Sequence, residues 1–135
     1  MIVYHGVQTK EIYDKVLKEG IRISKNGAYG AGIYCSSDYN LAADYSRASD
    51  YFKENQEPFV IPIELEDDDI IILHYSELAK RCGIECNEDT IFNRAKPIIK
   101  AEDYCKKEHI SVLLVKYKDT DEVIIYEPRV IKKIG

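Results

Sequence analysis

Two runs in the last third of the sequence constrain the fold more than any other feature. Ser111 to Tyr117 and Glu122 to Tyr126 are apolar and rich in β-branched residues, and Lys118-Asp119-Thr120-Asp121 joins them. Two such runs separated by a few polar residues are the pattern of a β-hairpin. Upstream, residues 1–4 read as a short strand. From Thr9 the spacing changes: Ile12, Val16 and Leu17 recur at helical intervals, Thr9 can cap, and Gly20 stops the run, so a helix is predicted from about Lys10 to Glu19. Ile21-Arg22-Ile23 alternates like a strand, and Ser24 to Gly32, with Gly27, Gly30 and Gly32, reads as a loop of unusual backbone freedom.

Ile33-Tyr34-Cys35 is β-like, and Asp38 caps a helix reaching about Arg47. Residues 48–58 are polar and read as a loop. Phe59 to Leu65 is predicted as a strand in which Pro62 suggests an edge or a bulge. Glu66 to Asp69 reads as a solvated acidic turn, and Ile70 to Leu73 fits either a strand or a buried turn. Helices are predicted over Ser76–Arg81, Asn87–Ala95 and Lys100–Glu108, and a last strand over Val130–Ile134. Strands with inserted helices, rather than a strict βαβ alternation, indicate an α+β class.

Composition narrows the function. A length of 135 residues predicts a single domain over 1–135, and 45% apolar with 32% charged residues is ordinary globular usage. Nineteen basic against twenty-four acidic residues give −5, which argues against broad binding to a nucleic-acid backbone while leaving room for a local basic groove. No apolar run approaches the ~18–20 residues of a membrane span. The start, Met1 to His5, lacks the basic opening and apolar core of a signal peptide. The four cysteines, Cys35, Cys82, Cys86 and Cys105, form no C-x-x-C pair, and no histidine stands at ligand spacing from Cys82 and Cys86. Reduced thiols, a cytoplasmic location and no metal are therefore expected. Eleven tyrosines with no tryptophan supply flat amphipathic rings that suit either a core rim or a slot for a planar ligand.

Three features carry candidate chemistry. In Tyr4-His5-Gly6, His5 offers a hydrogen bond to a ligand hydroxyl and Gly6 a backbone with no Cβ in the way. From Gly30 to Ser46, a glycine-rich turn feeds a short strand with Tyr34, and a helix carries Tyr45 eleven positions on, a spacing that can bring two rings across a slot. Glu122 opens the second strand of the hairpin, where a strand end can aim a carboxylate into a cleft. Taken one at a time, each also fits an ordinary role, which for His5 and Glu122 is the commoner one: a surface or satisfied histidine, core tyrosines around a tight turn, a solvated hairpin acid. The glycines do not form a phosphate loop, since neither G-x-G-x-x-G nor a following Lys-Ser/Thr is present.

Together, Tyr4-His5-Gly6, Gly32-Ile33-Tyr34, Tyr45-Ser46 and the strand Asp121 to Glu127 resemble the H-Y-E signature of the ADP-ribosyltransferases, the branch holding the diphtheria toxin catalytic domain and the poly(ADP-ribose) polymerases. The resemblance runs in order from position 4 to 127. It implies an α+β fold: an ADP-ribosyltransferase-like split β-sandwich of two antiparallel sheets with flanking helices. It also implies NAD as cosubstrate. By resemblance, His5 would bond the 2′-hydroxyl of the adenosine ribose, Gly6 would meet the nicotinamide carboxamide with its backbone, Tyr34 and Tyr45 would sandwich the nicotinamide ring, and Glu122 would bond the nicotinamide ribose and stabilise charge developing there. His5, Tyr34 and Glu122 are thus the implied catalytic trio.

There are departures from that pattern. Ala42 stands where the polymerases carry a serine hydroxyl for the carboxamide, as in diphtheria-type members, so one hydrogen bond is missing from an otherwise matching NAD site. Thr120, two before Glu122, is neither Gln nor Glu, which argues against arginine modification. The expected activity is transfer of a single ADP-ribose to a macromolecular acceptor, with the acidic balance favouring a protein over a nucleic acid and no membrane partner. The alternatives are an NAD glycohydrolase using the same pocket and a catalytically silent NAD- or ADP-ribose-binding module. The loops Ser24–Tyr29 and Lys118–Asp121 are expected to border the donor and acceptor sites.

Overall fold

A computed structural model of the chain describes residues 1–85 and 96–135. Among the described residues, seven strands form two sheets and four helices accompany them, an α+β arrangement. The strands are β1 (Ile2–Val7), β2 (Ile33–Cys35), β3 (Phe59–Leu65), β4 (Ile70–His74), β5 (Val112–Lys116), β6 (Asp121–Ile125) and β7 (Ile131–Ile134); the helices are α1 (Lys10–Glu19), α2 (Tyr39–Arg47), α3 (Tyr75–Arg81) and α4 (Ala101–Lys107). One sheet has the order β1-β3-β7 and is antiparallel; the other has the order β2-β6-β5-β4. In the second, β4 runs parallel to β5, so the expectation of two antiparallel sheets fails at that one pairing.

The predicted hairpin is β5–β6, with Val115 opposite Glu122, and the Tyr117 amide closes its turn on the Thr120 carbonyl at 2.8 Å. Its apolar residues run without a polar break because both faces of the sheet are covered. On one face, Val112, Leu114, Val123 and Ile125 pack against Val3, Ile61, Ile63 and Leu65 of the other sheet. On the opposite face, Leu113, Val115 and Ile124 pack under Leu78 and Ala79 of α3, Ala101 and Cys105 of α4, and Tyr29 from the glycine-rich loop. The two sheets are thus stacked, with α3, α4 and the loop on the far face of the second and α2 against β1 and β3 of the first.

Local chemistry explains most of the elements. The Thr9 hydroxyl accepts from the Ile12 amide at 3.2 Å and opens α1; the Asp38 carboxylate accepts from the Asn40 amide at 2.9 Å and opens α2. Tyr13 and Val16, not Ile12 and Leu17, are the α1 side chains packed on the core; the latter two are exposed. Pro62 lies in the central strand of its sheet rather than at an edge. It owes β1 no hydrogen bond, because the opposing Tyr4 turns its own amide and carbonyl to Ser36 of the β2–α2 turn, at 2.7 and 3.0 Å. The irregularity of β3 falls instead at Glu64/Leu65, against β7.

Residues 21–23 are not a strand: only the following Ser24 bridges, to Gly32. The predicted helix over Asn87–Ala95 and the thiol of Cys86 lie outside the described residues. Cys35, Cys82 and Cys105 are free thiols, and among the described residues no helix is long and apolar enough to cross a membrane.

Candidate active site

Three elements distant in sequence are pinned together at Ser36 and Ser37. The Ser36 backbone pairs with Tyr4 of β1. On the other side, the Asp121 carboxylate at the start of β6 accepts from the Ser37 amide at 2.9 Å, from the Ser36 hydroxyl at 3.1 Å and from the Ser37 hydroxyl. Thr120 adds a hydroxyl donated to Asp38 at 3.2 Å, and Asp38 caps α2. Hence β1, the β2–α2 turn and β6 hold fixed positions relative to one another. A cleft of about 590 Å³ opens beside this junction, within the range of a small-molecule site.

His5, Gly6, Tyr34, Ala42, Tyr45 and Glu122 all line that cleft. The register explains the meeting of two of them. Tyr34 lies opposite Ile124, and Glu122 is two residues along the same strand, so both side chains leave the same face of the sheet. Glu122 is half-buried. Burial pushes its carboxyl above the usual carboxylate range, the Tyr117 hydroxyl pulls it back, and the neighbouring Asp121 pushes the same way as burial. Tyr117 makes that contact by donating to Oε2 at 3.2 Å.

The Tyr34 ring is fixed by its hydroxyl, which donates to the Gly30 carbonyl at 2.5 Å and accepts from the Tyr29 amide at 2.8 Å. Burial raises this phenol to about 12, so it remains a neutral ring near pH 7. A Cβ at Gly27 would collide with the end of that ring, which is the reason for a glycine there. Tyr45 differs: its ring is 59% exposed on the cleft rim and is no part of the core.

His5 Nδ1 lies 2.6 Å from the Tyr34 carbonyl. A carbonyl only accepts, so Nδ1 carries the proton and Nε2 of the neutral ring is an acceptor. Burial lowers the His5 pKa, while the bond to Tyr34 opposes this. Nε2 of His5 is therefore placed to accept from a hydroxyl and not to donate to one.

Gly6 serves two purposes. Its missing Cβ makes room for the Ala42 carbonyl of α2, which a methyl group would overlap. Its backbone is also turned outward: since Tyr4 points away from β3, the alternation of the ladder points the Gly6 N–H and C=O to that side too, where the cleft lies. Ala42 is 6% exposed and brings no side-chain donor.

Several functional candidates carry little signal in the sequence. Arg22 is the only Lys or Arg among the described residues that line the cleft, and it comes from the segment expected to be a strand. Asp121 is the rivet that aligns Glu122. Tyr29 and Tyr117 form the packing behind the carboxylate. Their one sequence signal is position: Tyr117 is two residues beyond Val115, the hairpin partner of Glu122, and so shares its face. Among the described residues no group of three His, Cys, Asp or Glu side chains is arranged to hold a metal ion. No protein-family model matches the chain, and no curated protein matches it. The chemistry open to the cleft follows from its own side chains.

Proposed function

We propose that this chain is an NAD-dependent ADP-ribosyltransferase with the split β-sandwich of the H-Y-E branch, moving a single ADP-ribose to a macromolecular acceptor, a protein in preference to a nucleic acid. One observation carries the reading: His5, Tyr34, Tyr45 and Glu122, from four separate elements, converge on one cleft. In this reading NAD supplies a nicotinamide–ribose bond whose breaking leaves positive charge on the ribose. Glu122 meets that charge with a preorganised carboxylate in a partly dry setting. Tyr34 and Tyr45 hold the pyridine ring between them. Gly6 presents an N–H and a C=O to the carboxamide, the complement of its own C=O and NH₂. His5 accepts from a hydroxyl of the adenosine ribose through Nε2. Arg22, exposed at the mouth, faces the diphosphate.

Two binding results follow. Tyr45→Ala should weaken NAD about five- to tenfold, the worth of one stack at about 1 kcal/mol. Its melting temperature should stay within about 2 °C, because the ring is outside the core. Calorimetric titration and a thermal melt check both; a lower melting temperature with unchanged affinity would make Tyr45 structural. Arg22→Ala should weaken NAD about tenfold and flatten its salt dependence, while leaving inhibition by nicotinamide alone unchanged. Equal losses for NAD and nicotinamide would contradict the diphosphate assignment.

The activity itself is tested by incubating the pure protein with adenine-labelled NAD and a cell lysate, following free nicotinamide and label on macromolecules. Label on protein supports the reading. Label on nucleic acid moves the acceptor class. Nicotinamide release with no transferred label makes the chain a glycohydrolase, and NAD binding without turnover makes it a binding module.

A further inference from the structure

We propose that Tyr117, backed by Tyr29, is the positioning residue for Glu122: it fixes one carboxylate oxygen and leaves the other for the ribose. This deepens the reading of the cleft given above and rests on it. With Glu122 ionised, its acceptor character sets the direction of each proton in the hydrogen-bond chain. Tyr117 donates to Glu122 Oε2 at 3.2 Å. A phenol has one proton, so the contact between the Tyr29 and Tyr117 hydroxyls must use the proton of Tyr29. The chain therefore runs Tyr29 to Tyr117 to Glu122 and ends on an acceptor. A carboxylate only accepts, so this chain is matched to ionised Glu122.

Neither phenol is free to turn away. Tyr117 is 3% exposed and stacks on the fully buried Tyr75, with ring centroids 5.7 Å apart and planes 28° apart. Tyr75 donates to the Lys96 carbonyl at 2.6 Å. Tyr29 is 1% exposed; its carbonyl accepts from the Tyr126 hydroxyl at 2.8 Å, and its amide donates to the Tyr34 hydroxyl. One loop residue thus secures both the ring that would stack on nicotinamide and the partner of the carboxylate.

Glu122 needs such a partner. Among the described residues, the titratable groups that act on Glu122 or feel its charge are Asp121 on its own strand, Tyr34 and Cys35 on β2, Tyr29 from the loop and Tyr117 beyond β5, and none of these is a cation. Elsewhere in the cleft, burial disfavours the cationic form of His5 on β1, Arg22 is exposed, and Asp44 of α2 is paired with Arg47 at 3.2 Å. Tyr117 is the group that offsets burial and Asp121.

The test is Tyr117→Phe, which keeps the stacked ring and removes the donor. The Glu122 side-chain carboxyl is titrated by carbon NMR, its resonance assigned with Glu122→Gln, and nicotinamide release is measured against pH. Loss of one hydrogen bond to a charged group should raise the Glu122 midpoint about one pH unit and move the acid limb of the rate profile up equally. NAD affinity should stay within about threefold. An unmoved midpoint with normal turnover overturns the assignment alone. If Tyr117→Phe does not fold, Tyr29→Phe should shift the midpoint in the same direction by less, and no shift there overturns it. A parent protein that releases no nicotinamide, while Tyr117→Phe still raises the midpoint, supports Tyr117 as the partner and overturns the reading of the cleft.

Discussion

Glu122→Gln is expected to lower nicotinamide release a hundredfold or more while binding NAD within about threefold of the parent. The substitution keeps the shape, the acceptor oxygen for Tyr117 and the place on β6; it removes the charge and puts an NH₂ donor where the second carboxylate oxygen stood. A charge aimed at the atom that becomes cationic acts more on the transition state than on bound NAD, so the loss falls on kcat and not on affinity. Removing one preorganised electrostatic group from a water-poor site costs about 10²–10³ in rate. Stability should not suffer, because burial and Asp121 already disfavour the ionised form. Parallel assays of turnover, NAD affinity and melting temperature check this. Turnover equal to the parent would remove Glu122 from the chemistry.

The largest effect on stability is expected at Gly6. In Gly6→Ala the new methyl would fall on the Ala42 carbonyl oxygen, a backbone atom that cannot swing aside as a side-chain tip can. Neither element yields easily. Strand β1 is paired to β3 along its length and to Ser36 on the other side. Helix α2 has Ala43 fully buried against the sheet, and the Ser46 hydroxyl accepts from the Phe59 amide at 2.8 Å. Overpacking at such a crossing costs about 3 kcal/mol, which for a domain of this size lowers the melting temperature on the order of 10 °C. NAD binding should be lost with it, since the outward edge of Gly6 moves. A melting temperature within about 2 °C of the parent would mean that α2 and β1 are not in the contact described.

The two predictions draw on parts of the fold that were unequally legible in the sequence. The hairpin was readable because β5 and β6 are buried on both faces and need no polar alternation; their apolar runs therefore stand out. Capping chemistry located α1 and α2 for the same local reason. The strand Ile70–His74 was ambiguous because a short apolar run fits a strand or a buried turn. Its parallel pairing to β5 depends on a connection through α3 and α4 that no local pattern encodes. Ile21-Arg22-Ile23 alternates like a strand, yet among the described residues no strand pairs with it, and it brings Arg22 to the cleft.

At the site, strand ends, glycines and an eleven-residue interval marked His5, Gly6, Tyr34, Tyr45 and Glu122 as candidates, the family resemblance joined them into one set, and all five line one cleft. Of the supporting residues, Tyr117 left only one trace, its place in the hairpin, and Tyr29 and Asp121 left none. Tyr29 sits in a glycine-rich segment that reads as a solvent loop, but packing against Tyr117 and Tyr126 buries it. Asp121 looks like one more acid in a polar turn, and only the approach of Ser36 and Ser37, eighty-odd positions away, makes it a rivet. The direction of the His5 hydrogen bond likewise depends on the Tyr34 carbonyl, which lies on another strand.

The most direct measurement is a crystal structure of Glu122→Gln with intact NAD bound. The account predicts the pyridine ring between Tyr34 and Tyr45, its carboxamide on the N–H and C=O of Gly6, a hydroxyl of the adjoining ribose within hydrogen-bond distance of position 122, and the diphosphate at Arg22. NAD bound anywhere else on the protein, or none bound at millimolar concentration, would contradict it.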